Sequence, residues 1–412
     1  MPDKTDSVKT LNKQGVTVLI LGSIMMLFLG ILYVWSIFVI PVSEIYNWHI
    51  DSVKLTSSFM LCFFVVGILT GGKLHLSLGC EKVVLGGGLL LALGMLATAF
   101  LPADLAWLMY ITYGIIGGFG VGSAYNAIIC AAQKWFPQRR GFATGVVVSA
   151  FGFSIVIFAP LIEFLVMQFG LRNTFLILAA AFAIATLALF KFIRLPGDNL
   201  TAGTQSSAST AMAALLAKKQ YTMTETIKTK EFYLITLSLM VATATFFILN
   251  PSFKILAASH GAEAFGTIII MMTGVTNACG RLVIPILSDR IGREKAAILV
   301  IFITSVCALL LCFGSGILFI IAALLVAFCF GSLPGLYSVI ASDYFGIKNA
   351  GANYGAIMMG FALSALTFPM IIGLINNETM KFVTLSVMAA VGVILMLLTL
   401  LSKKKFEEKA NA

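Results

Sequence analysis

Apolar stretches of about 20 residues, the length at which an α-helix crosses a lipid bilayer, follow one another along almost the whole chain with short polar breaks. No soluble core could bury that much apolar side chain: of 412 residues, 60% are hydrophobic and 11% charged, with a mean hydropathy of +1.03. At roughly 34 residues per helix and loop there is room for about twelve spans, and none for a sizeable soluble domain. Soluble enzymes, nucleic-acid binders and secreted disulfide scaffolds are excluded on this ground. The expected fold class is an all-α membrane protein, twelve transmembrane helices in two six-helix halves.

The spans are expected at 16–41, 53–77, 83–102, 105–134, 140–168, 172–193, 232–258, 263–288, 296–314, 316–343, 349–376 and 380–401. The net charge of +10 follows topology rather than forming one binding face. Lys and Arg gather in the N-terminal tail (Lys4, Lys9, Lys13), in the even-numbered connections (among them Lys82, Arg139, Arg140, Lys218, Arg290, Arg293 and Lys348) and in the C-terminal tail (Lys403 to Lys405, Lys409). By the positive-inside rule both termini are expected in the cytoplasm of a multi-pass protein of the inner (cell) membrane. The stretch Met1 to Gly15 is polar and the apolar run after it is too long for a signal-peptide core, so the first helix is expected to stay as an anchor. The cysteines, Cys62, Cys80, Cys130, Cys279, Cys307, Cys312 and Cys329, lie in or beside apolar runs without metal-ligand spacing, and read as small hydrophobes. No metal and no cofactor is expected.

The one long hydrophilic stretch, Arg194 to Glu231, divides the chain into an N-terminal half 1–193, a cytoplasmic linker 194–231 and a C-terminal half 232–412. Its middle, Gly203 to Ala217, is rich in Ser, Thr, Ala and Gly and is expected to be flexible. The halves repeat: Trp135-Phe136-Pro137 with Gly141 and Gly145 corresponds to Tyr344-Phe345-Gly346 with Gly351 and Gly355. Six helices duplicated about a central loop is a plan of secondary transporters that bind substrate near the bilayer midplane.

After the eighth span the chain reads Ser288-Asp289-Arg290-Ile291-Gly292-Arg293-Glu294-Lys295. An Asp at a helix end can accept hydrogen bonds from the backbone N–H groups of a neighbouring helix start, Gly292 allows a sharp turn, and Arg290 and Arg293 can hold the loop at the membrane face. The octapeptide resembles the loop signature of the major facilitator superfamily, which implies a gating role for Asp289, Arg290, Gly292 and Arg293. The matching first-half loop, Gly71 to Lys82, keeps its glycines but has Leu76 and Ser77 where Asp and Arg should stand, so that latch is expected to be weak or differently built.

A narrower resemblance rests on several segments in order. They are Leu32-Tyr33-Val34-Trp35-Ser36 with Pro41, Gly120 to Tyr125, Lys134 to Pro137 with Arg140 to Gly145, Cys279-Gly280-Arg281, Ser342 to Gly346 and Asn353-Tyr354-Gly355. Together they resemble the oxalate/formate antiporter family, itself similar to the monocarboxylate transporters.

Arg281 is the charged residue placed deepest in a span, about 12 Å along the helix from Asp289. A guanidinium at that depth is costly unless it faces a wet cavity or a partner, which makes function the default reading; a purely structural pairing is the alternative. Thr273, Asn277 and Arg281 repeat at four-residue spacing and form one polar stripe. The resemblance implies that Arg281 binds a substrate carboxylate, for which a planar guanidinium is well suited. Tyr33, Tyr125 and Asn126, with Tyr337 and Phe330, are candidates to line a cavity, against simple packing. Lys254 near Pro251 reads mainly as a snorkelling residue. His49, His75 and His260 lie in or near loops, and Glu163 and Asp343 lie near helix ends.

In the oxalate-carrying members of the resembled family a lysine follows the Asn-Tyr-Gly segment and supplies a second cation; the same interval in this chain reaches Phe361. The expected function is therefore secondary transport of small organic monocarboxylates, formate-, lactate- or acetate-like, by alternating access. An oxalate/formate-type exchanger and, more distantly, a drug exporter stay open as alternatives. The expected partners are the organic anion, the lipid bilayer and a coupled proton, with no nucleic acid, for a monomer that is not an enzyme.

Overall fold

The computed structural model describes residues 4–196, 207–249 and 266–411. These residues form helices without a single β-strand among them. The first half holds α1 (Lys4–Leu29), α2 (Trp35–Tyr46), α3 (Ile50–Leu78), α4 (Cys80–Ala99), α5 (Gly118–Trp135) and α6 (Arg140–Leu189). Short helices α7 (Ser207–Ala217) and α8 (Met223–Thr226) lie in the central stretch. The second half holds α9 (Lys230–Leu249), α10 (Gly266–Ile291), α11 (Arg293–Phe313), α12 (Ile317–Phe345), α13 (Ala350–Gly373) and α14 (Glu378–Asn411).

Ten stretches of the described residues are long and apolar enough to cross a membrane. One of them, Arg140–Phe192, is two segments meeting at Gly170, whose φ of +75° breaks the helix. With those segments taken separately and α10 added, the helices account for the twelve expected spans. Large apolar side chains such as Met167, Phe313 and Met370 are exposed along these helices. That pattern suits a hydrocarbon solvent, in which apolar residues need no partner and only the backbone must be satisfied internally.

The chain divides into two compact units. One comprises Met1–Gln138, Phe153–Leu215 and Asn349–Gly355; the other comprises Arg139–Gly152, Leu216–Lys348 and Ala356–Ala412. Relative to a division at the 194–231 stretch, the start of α6 belongs with the second unit and the start of α13 with the first. Both crossing stretches carry the repeated glycines, Gly141 with Gly145 and Gly351 with Gly355.

Within each unit one helix pair is pressed backbone to backbone. In the first, a Cβ added at Gly122 of α5 would stand 1.9 Å from the Phe64 carbonyl oxygen of α3. In the second, a Cβ at Gly280 of α10 would stand 1.9 Å from the Phe328 carbonyl of α12, and one at Gly331 would stand 2.1 Å from the Asn277 carbonyl. Such approach is open only to small residues and replaces the hydrophobic drive that lipid does not supply.

The described part of the central stretch contains helix. Ser207–Ala217 is helical, because Ala, Met and Leu, all strong helix formers, dominate its second half. Thr222 caps α8 in a capping box with Glu225. The Thr222 backbone N–H donates to the Glu225 carboxylate at 2.7 Å and holds that carboxyl below its usual range. Just before it, the Tyr221 N–H donates to the Phe345 carbonyl at 2.9 Å and the Lys348 N–H donates to Gln220 Oε1 at 2.9 Å, so this end of the stretch is tied down within its own unit.

Candidate functional site

The polar stripe of α10 is built from the helix repeat. Arg281 is 1% exposed, and its Nε donates to Asn277 Oδ1, one turn earlier, at 2.9 Å. Thr273, one turn earlier still, is also buried. The guanidinium carbon lies 5.8 Å from the ring centre of Phe151, which belongs to the α6 stretch of the same unit. A side chain with many rotamers is thus held at its Nε by a neighbour on its own helix.

Phe361 lies in a cluster of rings in the same unit. Its ring centre is 5.0 Å from that of Phe247 and 5.7 Å from that of Phe330, and Phe330 stacks on Phe246 at 4.0 Å. Gly331, the next residue after Phe330, is pressed against the Asn277 backbone. Phe330 thus lies one residue along α12 from the point where that helix meets Asn277. Tyr337, on the same helix as Phe330, shares a 2.8 Å hydrogen bond with Ser238.

Tyr33, Tyr125 and Asn126 belong to the first unit. Tyr33 sits half-buried in a 3-10 turn, Gly30–Val34, that interrupts the first span between α1 and α2. Tyr125 is buried, its ring 5.2 Å from that of Phe64. The Asn126 side-chain amide donates to two backbone carbonyls, Ile68 at 2.6 Å and Gly351 at 2.8 Å. That amide ties α3 to the start of α13, where a Cβ at Gly72 would stand 2.2 Å from the Gly351 oxygen.

The loop motif forms a charged junction in the second unit. Asp289 accepts the backbone N–H of Gly141 on Oδ1 at 3.1 Å and that of Phe142 on Oδ2 at 2.8 Å. These are among the first N–H groups of α6, which have no partner inside their own helix. Arg293 pairs with Asp289 at 2.5 Å and with Asp343 at 3.4 Å, and donates to Ser288 Oγ at 2.7 Å. Asp343 in turn pairs with Arg140. Gly292 has a φ of +96°, a conformation that glycine adopts without strain, and Arg290 is exposed.

Among the described residues, no such charged junction occurs at the corresponding loop of the first half. Leu76 and Ser77 are exposed, while Gly79 keeps the left-handed turn with a φ of +88°.

His75 lies in the last turn of α3, next to the loop, 1% exposed, with Nδ1 3.3 Å from the Gly71 carbonyl. Glu163 is exposed. Lys254, Pro251 and His260 fall outside the described residues. No group of three His, Cys, Asp or Glu side chains that could hold a metal occurs among the described residues. Phe151, beside Arg281, was not singled out by the sequence, and neither was the pairing of Arg140 with Asp343. Both contacts join residues distant in the chain, and no local spacing announces them.

The sequence pattern of the Major Facilitator Superfamily matches residues 19–369 and 235–412. The chain is similar to an uncharacterised MFS-type transporter, YhjX, of Escherichia coli, 26% identical over 84% of this chain and 85% of the relative. It is similar to the oxalate:formate antiporter of Oxalobacter formigenes, 26% identical over 79% of this chain and 76% of the relative. It is also similar to monocarboxylate transporter 12 of Xenopus laevis, 25% identical over 73% of this chain and 69% of the relative. Among solved structures it matches the transporter FucP in its outward conformation with a TM-score of 0.70, 15% identical, covering 94% of this chain and 99% of that one.

Proposed function

The chain belongs to the Major Facilitator Superfamily of membrane transporters, and from that premise we propose that it carries small organic monocarboxylates by alternating access, with Arg281 as the anion anchor. The observation that carries this reading is Arg281 itself, 1% exposed inside a span and tied at Nε to Asn277. A guanidinium presents paired in-plane donors that match the two oxygens of one carboxylate. The same unit also holds the rings of Phe330 and Phe361. An apolar wall suits the hydrogen or short alkyl group of formate, acetate or lactate. A second carboxylate lodged against those rings would gain no partner from them, at a cost of several kcal/mol for a desolvated anion. The printed names of two relatives, an oxalate:formate antiporter and a monocarboxylate transporter, support the substrate class; oxalate exchange is the second reading, favoured by the first of those names alone.

Purified protein in proteoliposomes should take up labelled lactate, formate or acetate, and for proton symport an imposed gradient with the outside acid should accelerate uptake. Absence of uptake of all three, under conditions where labelled oxalate enters, would favour the second reading.

We further place both tails and the 194–231 stretch on the cytoplasmic side of the inner membrane, from the Lys and Arg distribution. A lone cysteine introduced at Lys218, in a background without native cysteines, should resist an impermeant thiol reagent in intact cells, and one at Asp104 should react; both positions are exposed. Reaction at both would refute the assignment.

A further inference from the structure

We propose that Phe151 and Gly152 on α6 are positioning residues that set the orientation of the Arg281 guanidinium, and through it the affinity for a carboxylate. The inference rests on Arg281 being the anion anchor.

Arginine has several rotatable bonds and carries about 2 kcal/mol of rotamer entropy, so a site that needs its fork in one place must restrain the stem as well as the head. The contact with Asn277 holds Nε. Further restraints come from α6. The Phe151 ring lies 5.8 Å from the guanidinium carbon, within reach of the attraction between a cation and a ring face. A ring face draws a cation without consuming its in-plane N–H donors, so this contact and a bound carboxylate do not compete.

At the next residue, a Cβ built at Gly152 would stand 2.9 Å from Arg281 Cδ and 3.2 Å from both Cα and Cβ of Ala278. The glycine is therefore a slot through which the Arg281 stem runs. Because Ala278 Cα is backbone, a methyl group there must displace the stem, the helix or both. Phe151 and Gly152 are the last two residues of the α6 stretch that belongs to the second unit, so stem and head are steadied from one short piece of chain.

The test is a comparison of KM, kcat and thermal stability for lactate or formate uptake in proteoliposomes. Phe151→Leu keeps an apolar side chain and removes the ring; KM should rise roughly three- to thirtyfold with kcat near that of the parent. Phe151→Tyr keeps the face and should stay within about twofold of the parent KM, since the quadrupole is retained. Gly152→Ala should raise KM by about tenfold or more by moving the stem. Should that variant fail to fold, the Phe151 pair decides.

An unchanged KM in Phe151→Leu, while Arg281→Ala is inactive, overturns the positioning role and leaves the anchor intact. A loss in Phe151→Leu confined to kcat, or one that Phe151→Tyr shares, also overturns it. Normal uptake by Arg281→Ala instead removes the anchor, and with it the reading on which this inference rests.

Discussion

Arg281→Ala is expected to abolish carboxylate uptake while leaving the protein inserted and folded. Truncating one member of a buried, hydrogen-bonded charge pair costs about 2–5 kcal/mol, which is roughly thirtyfold to several thousandfold in affinity. Arg281 is buried with its head beside Asn277 and Phe151, so water cannot readily replace the lost donors. Arg281→Lys keeps the charge and loses the planar fork. It should bind at least about tenfold more weakly than the parent, because a point-charge ammonium cannot donate two parallel bonds. Initial uptake rates, normalised to purified protein with a thermal melt beside them, read both effects. Normal uptake by the alanine variant would end the anchor assignment, and loss of folding would favour a structural pairing.

Asp289→Ala is expected to produce the largest loss of stability. The carboxylate accepts two backbone N–H groups at the start of α6 and pairs with Arg293. Its removal takes away the acceptor those two donors share and reduces Arg293 to the partners Asp343 and Ser288. Removing one partner of a buried ion pair costs about 3–5 kcal/mol, and the slight exposure of these groups, 10% and 14% of the side chain, argues for the lower end. Asp289→Asn keeps an acceptor oxygen and should lose less. The melting temperature in detergent should fall by several degrees in Asp289→Ala, with Asp289→Asn between it and the parent. By contrast Leu76→Asp, at the exposed matching position of the first half, should shift stability by no more than about 0.5 kcal/mol. A parent-like melt for Asp289→Ala would show that this junction does not hold the start of α6.

Much of the architecture is legible in the sequence because lipid imposes a simple rule. A helix that faces hydrocarbon can be apolar all round, so length and composition locate it without any periodic face. The Arg281–Asn277 pair is legible for a similar reason, since four-residue spacing alone puts two side chains on one helix face. The bond from Asp289 to a helix start is readable as chemistry, although its donors Gly141 and Phe142 lie far away in sequence.

What composition hides is local competition and long-range contact. Ser207–Ala217 reads as flexible by its Ser and Thr content, yet its Ala and Leu make it helical. His75 reads as a residue in or near a loop and does lie in the last turn of α3, but its burial there is not visible in the sequence. Asn126 reads as a cavity residue by its place beside Tyr125, and the structure gives its amide to the Ile68 and Gly351 carbonyls. Phe151 beside Arg281, and Arg140 beside Asp343, depend on how α6 packs, which no short window of sequence contains.

The central claim is that one buried arginine facing an apolar wall selects a single carboxylate. Its most direct test is competition: uptake of labelled lactate or formate into proteoliposomes, measured with unlabelled monocarboxylates, oxalate or malonate outside, for the parent and for Phe361→Lys. The account predicts that lactate, formate, acetate and propionate inhibit the parent and that the dicarboxylates do not, and that Phe361→Lys shifts inhibition toward oxalate by placing a second cation among the Phe247 and Phe330 rings. Strong inhibition of the parent by oxalate, with none by lactate or formate, would contradict it.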